Sequence, residues 1–352
     1  MQNKNKMNKI GIISLFGLYN YGNRLQGYAL DCALSELGFY PETIVLYRKL
    51  GLSFLAAQIR TFFRACFKSS NTKKRDNRFR EFVSGQKIKY VIFPYQIRHL
   101  SKKYSYFCVG SDQVWNPNAD LFKHTKLLEF AECGQKIAVA PSFGVSELPE
   151  SCIDEYRLAL SSYKSISVRE EEGAALVESL VGKRPKVLID PTLAISDHKW
   201  REVADYSFVP QQKYVLVYFL GGWSGNLLDY IYGIDENSYQ VIDLLDNNSI
   251  YYACGPQDFI GLIDKANLVL TDSFHASVFS TLFGTPFRVF HRSEKLSTYS
   301  RIATLLKTYQ VGNVEGYGAI PEISNDQRDI TVGLLESKRI EFIQYLRKAL
   351  DV

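Results

Sequence analysis

Residues 267–290 read Asn-Leu-Val-Leu-Thr-Asp-Ser-Phe-His-Ala-Ser-Val-Phe-Ser-Thr-Leu-Phe-Gly-Thr-Pro-Phe-Arg-Val-Phe. Residues 268–271 form a short apolar run, as a fully buried parallel strand requires. Asp272 and Ser273 are good N-cap residues immediately before a pattern with helical spacing. Phe274, Val278 and Leu282 share one helix face, and Phe279 and Phe283 widen it. Gly284 can end the helix in a left-handed conformation, Pro286 lies just beyond, and residues 287–290 read as the next strand. The unit is strand–helix–strand, and it puts His275 in the first turn of the helix, at the carboxyl end of a strand. Open α/β sheets bind ligands at such edges, because first-turn N–H groups and the helix dipole favour an anion. Asp272, Ser273, Phe274, Ala276 and Ser277 are therefore candidate binding residues. His275 is the candidate for chemistry.

Toward the N-terminus the same grammar recurs. Residues 9–16 read as a buried strand, 17–22 as a glycine-bearing turn, 23–37 as a helix ended by Gly38, and 42–47 as the next strand. Gly17 and Gly22 are too far apart for a dinucleotide fingerprint. Asn20, Gly22, Asn23 and Arg24 still occupy the usual ligand edge, where they either contact a ligand or only cap the helix. Residues 104–109 run as a strand into Gly110, Ser111, Asp112 and Gln113, a small polar cluster at another strand end; Trp115 beyond it reads as a packing residue. Further strands are expected at 136–140, 165–168 and 186–189, with Arg169 just past the end of the second. Six strands alternating with helices make a complete doubly wound domain.

A second domain starts after Pro191, with strands at 214–220, 240–244, 268–271 and 287–290 and an amphipathic helix over 331–350 at the end. The expected architecture is α/β: two Rossmann-like doubly wound domains facing a cleft, residues 1–192 and 193–330. Helix 331–352 packs back on the first. Residues 50–89 differ in character. Leu55, Ile59, Phe62, Phe63 and Phe67 alternate with Arg60, Arg64 and Lys68 at helical spacing, and more basic residues follow. Such a helix between 55 and 80 either meets a membrane surface or a lipid-linked phosphate, or packs on its domain with a solvated basic face. No nucleic-acid module surrounds it, so a nucleic-acid partner is not expected.

Composition sets the bounds. The chain has 352 residues, a net charge of +5 and six cysteines. That length suits two domains with their own cores. The cysteines show no CxxC pair and no metal-ligand spacing, so free thiols in a reducing cytosol and no metal are expected. No signal peptide or membrane-spanning stretch is expected. The protein reads as cytoplasmic, at most peripheral on the inner face of a membrane.

Five motifs now stand in order: Asn20-Tyr-Gly-Asn-Arg-Leu-Gln26, Gly110-Ser-Asp-Gln-Val-Trp-Asn116, Ser167-Val-Arg-Glu170, Asp190-Pro-Thr192 and Thr271-Asp-Ser-Phe-His275. Together they resemble the polysaccharide pyruvyltransferase family over roughly residues 9–310. The resemblance implies a fold similar to the GT-B glycosyltransferases. It also implies transfer of a pyruvyl group from phosphoenolpyruvate to a sugar of an envelope or capsular polysaccharide precursor, free or lipid-linked, as a ketal and without a cofactor. It makes Arg169 match the family's donor-binding arginine and His275 its late histidine. Ser273 stands where well-studied members carry an arginine, so either Arg24, Arg288, Arg292 or Arg301 supplies that charge or the donor differs.

The chemistry agrees with these residue types. Phosphoenolpyruvate carries a phosphate and a carboxylate, and needs cations and N–H donors. A histidine suits proton transfer near neutral pH, and His275 could serve as acid, base or phosphate ligand. Arg169 offers a planar fork that lysine cannot copy, so Arg169→Lys is expected to weaken donor binding at little cost in stability. Two alternatives stay open. A GT-B glycosyltransferase or nucleotide-sugar epimerase would place carboxylates after the late strand, and residues 273–287 contain no Asp or Glu. A non-catalytic saccharide-binding protein could keep the fold and lack the site.

Overall fold

Two stretches of dense apolar residues, each flanked by turn chemistry, become two parallel sheets. The computed structural model describes residues 8–17, 19–46, 69–91, 96–97, 99–118, 123–221, 230–231, 238–291, 296–312, 314–315 and 325–352, with the side chains of 296–299 excepted. The chain divides into two compact units. One comprises Met1–Phe67, Val83–Ala194 and Lys338–Val352, the other Lys68–Phe82 and Ile195–Ser337.

The first unit carries β1 (Lys9–Ile13), β2 (Tyr40–Leu46), β3 (Ile88–Val91), β4 (Tyr106–Val109), β5 (Lys136–Ala138), β6 (Ser165–Val168) and β7 (Lys186–Val187). Their order is β3-β2-β1-β4-β5-β6-β7, all parallel. Ile10 of β1 lies opposite Pro41 on one side and Tyr106 on the other, which makes β1 the central strand. Strand β3 is a seventh strand where the sequence suggests six. Ile-Lys-Tyr-Val at a sheet edge is only partly buried and carries no continuous apolar run, so the usual signal is missing. Helices α1 (Tyr21–Glu36), α3 (Glu150–Ser161) and α4 (Glu171–Val181) supply the crossovers, and α2 (Ser70–Val83) is counted almost wholly with the second unit. Trp115 is 1% exposed and packs on Phe143 at 5.2 Å between ring centres, as a core residue.

The second unit carries β8 (Tyr214–Tyr218), β9 (Gln240–Asp243), β10 (Leu268–Thr271) and β11 (Phe287–Val289) in the order β11-β10-β8-β9, all parallel. Around them lie α5 (Asp197–Val203), α6 (Pro256–Lys265), α7 (Phe274–Phe283), α8 (Leu296–Thr308) and the first half of α9 (Asn325–Leu350). All ten residues of α7 are buried, so the helix is enclosed on every side rather than along one stripe. Phe279 meets Trp200 edge-on at 5.0 Å and Phe259 at 6.3 Å. Gly284 ends the helix at φ 73°, where a Cβ would also lie 2.9 Å from the Arg328 side chain. That side chain donates to Thr281 O (2.8 Å) and Leu282 O (2.6 Å), placing a cation on the last-turn carbonyls.

The basic segment is partly accounted for. In α2, Arg75 donates to Leu244 O (3.3 Å) and Tyr252 O (3.0 Å), and Arg78 to Asp258 Oδ1 (2.6 Å) and Asp205 Oδ2 (3.0 Å). These four partners draw α2 into the second unit and use two cations that the sequence alone left facing solvent or lipid. Residues 55–68, including Arg60, Arg64 and Lys68, lie outside the described residues. At the other end of the chain, Tyr345 donates to Ala138 O (2.7 Å) and Arg339 to Leu193 O (2.8 Å), so the last turns of α9 pack in the first unit. No helix among the described residues is long and apolar enough to cross a membrane.

Candidate active site

Strand order locates the ligand edge of the first unit. The series 3-2-1 reverses to 4-5-6-7 between β1 and β4, and doubly wound sheets open a crevice at that reversal, beyond the carboxyl ends of the strands. The two motifs read as binding edges meet there. Asn20 N-caps α1, its side chain accepting from Asn23 N at 3.0 Å, so the capping reading holds for Asn20. Asn23 turns the other way and its amide donates to Asp112 Oδ2, bridging β1's turn to β4's. Gly22 and Asn23 are buried in this first turn. At the end of β4, Gly110 has φ 123°, and a Cβ there would lie 2.1 Å from Val139 O, so only glycine fits. Asp112 follows at φ 61°, an uncommon conformation that Asp tolerates better than most residues. The Gln113 side-chain carbonyl accepts from the Asn116 amide at 3.5 Å.

Arg169 joins this edge from β6. Its guanidinium donates to Asp190 Oδ2 at 2.7 Å and to Asp112 Oδ1 at 3.3 Å, and Nε lies 3.9 Å from Glu170 Oε2. Ser111 Oγ lies 2.9 Å from Ala140 O and 3.0 Å from Asp190 Oδ2, so its single proton goes to one of them at a time. The Arg169 side chain is 2% exposed and that of Asp190 0%. Burial alone would loosen the guanidinium's proton; Asp190, Asp112 and Glu170 outweigh it and hold the pKa above the ordinary arginine value. Arg169 therefore keeps its charge by being enclosed in carboxylates. This alters one expectation: a residue so paired is part of the unit's stability, and Arg169→Lys costs more than donor binding.

Arg24 is the opposite case. It is 7% exposed, its guanidinium carbon lies 3.4 Å from the Phe16 ring centre, and among the described residues neither Nε nor Nη1 has a hydrogen-bond partner. Burial pulls its pKa down to about 10, partly offset by Tyr90, so it remains a cation at neutral pH.

In the second unit the reversal falls between β8 and β10. Asp272 spans it: its two carboxylate oxygens accept from Leu220 N (2.8 Å) and Gly221 N (2.7 Å). The carboxylate thus holds the turn after β8 from inside. Ser273 N-caps α7 by accepting from Ala276 N at 3.5 Å, and Ser277 Oγ donates back to Ser273 O at 3.0 Å. Phe274 stacks edge-on to the His275 ring at 5.2 Å, with the Arg301 guanidinium 5.6 Å from the Phe274 centre. His275 is 7% exposed and Ala276 0%. The imidazole sits at the positive end of a fully buried helix, where an anion and a proton-transfer group would both be favoured.

Several residues of the first edge escape a reading by motif position. Gln26 is wholly buried; its side chain accepts from Ser111 N at 2.9 Å and donates to Ser14 Oγ and to Asn23 O (3.2 Å), tying β1, α1 and the β4 turn together. Asp190 also accepts from Thr192 N (3.1 Å) and Thr192 Oγ1 (2.8 Å). Glu170 accepts from Phe143 N at 3.2 Å. The Asp-Pro-Thr and Val-Arg-Glu motifs mark these positions, but only the fold brings them to one guanidinium. Among the described residues, His124, Glu129 and Glu155 have ligand atoms within 4.8 Å of one another. They are mostly exposed and already paired, His124 with Glu129 at 3.0 Å and Glu155 with Lys123, so the group makes no built metal site.

Comparisons agree with this architecture. A Listeria monocytogenes structure assigned as a UDP-N-acetylglucosamine 2-epimerase is 9% identical, covers 96% of this chain and 91% of its own, and superposes with a TM-score of 0.51. The UDP complex of Arabidopsis thaliana UGT89C1 is 10% identical, covers 97% and 94%, and has a TM-score of 0.44. The fold is the two-sheet α/β architecture of the first of these structures. No curated protein matches the sequence. The profile of the polysaccharide pyruvyl transferase family matches residues 20–294, from the Asn20 cap of α1 through Arg169 and His275 to beyond β11, and the chain belongs to that family of transferases.

Proposed function

We propose that this enzyme transfers a pyruvyl group from phosphoenolpyruvate to a sugar of an envelope or capsular polysaccharide precursor and closes it as a ketal. The carrying observation is the polar array at the β1/β4 reversal, where Asn23, Asp112, Arg169 and Asp190 form one hydrogen-bonded run at the usual ligand edge. The reaction consumes two acceptor hydroxyls and releases phosphate. One hydroxyl proton ends on the former methylene carbon, the other on the phosphate. Protonating that carbon leaves oxocarbenium character on its neighbour, which the first hydroxyl attacks; phosphate leaves, and the second hydroxyl closes the ring.

Each residue type has a task in this scheme. Arg169 keeps the first edge rigid while Asn23 and Asp112 offer a donor and an acceptor to saccharide hydroxyls. Gly110 and Gly22 let backbone approach a ligand closely. His275, at the start of α7, moves a proton or binds the phosphate. No cofactor takes part. The acceptor is free or lipid-linked, and the enzyme works in the cytoplasm or on the inner face of the membrane, where the basic segment would contact anionic lipid.

The test is a phosphate-release assay with phosphoenolpyruvate and a panel of oligosaccharide acceptors, with ketal formation followed by mass spectrometry. UDP-sugars form the second arm. Acceptor-dependent phosphate release with pyruvyl addition is the expected result. Turnover of a UDP-sugar without turnover of phosphoenolpyruvate would sink the proposal.

A further inference from the structure

We infer that Arg24 is the docking point of a small oxyanion, a phosphate or a carboxylate, at the start of α1 in the first unit. Naming that anion as the donor rests on the pyruvyl-transfer reading; the anion site does not. Three observations support it. First, α1 is a sixteen-residue helix with no acidic residue in its first turn, so no carboxylate of its own opposes the positive end of its dipole. Second, Arg24 is more than nine-tenths buried and, among the described residues, forms no ion pair, while its Nε and Nη1 lack hydrogen-bond partners. Third, the guanidinium carbon lies 3.4 Å from the centre of the Phe16 ring, which supports the cation on an aromatic face but supplies no hydrogen-bond acceptor.

Other buried arginines sharpen the contrast. Arg75 is 2% exposed and donates to two carbonyls, and Arg169 is 4% exposed and sits among carboxylates. Among the described residues, each leaves its Nε without a hydrogen-bond partner, but both place the rest of the guanidinium on carbonyl or carboxylate oxygens, whereas Arg24 leaves Nη1 unpartnered as well. A buried cation with unsatisfied donors destabilises a fold, and a segment that keeps one is explained when an anion completes it. Arginine suits the task because its planar donors match phosphate and carboxylate oxygens.

The experiment uses the full chain and calorimetric titration with inorganic phosphate, phosphoenolpyruvate and pyruvate at low and high salt. Phosphate and pyruvate separate the two possible anionic groups. Arg24→Met should lower affinity about 10- to 100-fold, the scale of charge-assisted hydrogen bonds. Its ligand-free melting temperature should equal or exceed the wild type, because an unsatisfied charge has gone. That combination of lost binding and undiminished stability is not expected of a structural arginine. Binding of none of the three anions by the wild type, or undiminished affinity in Arg24→Met, overturns the site. Should Arg24→Met fail to fold, Arg24→Lys keeps the charge without the planar donors, and wild-type affinity in that variant overturns it too. Arg24-dependent phosphate binding without any transfer keeps the site and removes the pyruvyl reading. Transfer with an unchanged KM for phosphoenolpyruvate in Arg24→Met does the reverse.

Discussion

Removing the Arg169 guanidinium should unfold the first unit more readily, and the structure sets the scale. Arg169 bonds to Asp190 at 2.7 Å and to Asp112 at 3.3 Å, with the Arg169 and Asp190 side chains 2% and 0% exposed. Breaking such a buried pair by deleting one partner costs about 3–5 kcal/mol, because the remaining charge cannot be solvated. Arg169→Met makes that deletion at similar volume. Arg169→Lys keeps the charge but loses at least one charge-assisted bond, about 1.5–3 kcal/mol. At roughly 2–4 °C per kcal/mol for a unit of this size, the expected losses are about 6–20 °C for Met and about 3–12 °C for Lys. Differential scanning calorimetry is the assay, since it separates the two units' transitions if they melt apart. Donor affinity measured on the same samples, below their transitions, shows whether binding falls as well. An Arg169→Met variant that melts with the wild type would refute the reasoning, since Asp190 and Asp112 would then not depend on the guanidinium.

Three further outcomes are expected. His275→Asn should keep the fold and lower turnover by roughly 10²-fold or more, the scale of a lost acid or base; phosphate release at wild-type rate would remove His275 from the chemistry. Asp31 on α1 has its pKa raised from 3.8 to about 6 by burial, against a smaller opposing effect of Lys87. Between those values the native state binds more protons than the unfolded one, so stability falls as pH rises from about 4 to about 6. Asp31→Asn should therefore raise stability at pH 8 by about 1–2 kcal/mol, after allowance for solvent screening, and leave it unchanged near pH 3; equal melting curves at pH 8 would contradict this. Gly284→Ala forces a Cβ into a left-handed residue and onto Arg328, which should cost about 1–2 kcal/mol or more and lower the second unit's melting temperature by several degrees.

The two sheets share one local design. At each strand-order reversal a carboxylate spans two turns: Asp112 takes the Asn23 amide in one unit, and Asp272 takes the N–H groups of Leu220 and Gly221 in the other. These carboxylates fix the turns at the carboxyl ends of the strands. It follows that Asp272, read from sequence as a binding residue, acts first on its own backbone.

Local chemistry was enough to determine much of this protein. The run 268–271, the Ser273 cap and Gly284 specify β10 and α7 residue by residue, because a buried strand, an N-cap and a left-handed stop are properties of a few neighbours. The same holds for Asn20 at the start of α1. What the tertiary structure alone decided are the long-range pairings. Seventy-nine residues separate Ser111 from Asp190, and fifty-seven separate Arg169 from Asp112. No periodicity carries that information; strand order does. The edge strand β3 and the capture of α2 by Asp258 and Leu244 O were hidden for the same reason. Two arginines of like sequence character, Arg24 and Arg169, thus end in opposite states. One is enclosed in carboxylates and the other forms no ion pair among the described residues, because a side chain's charge is local while its counter-ions are assembled by the fold.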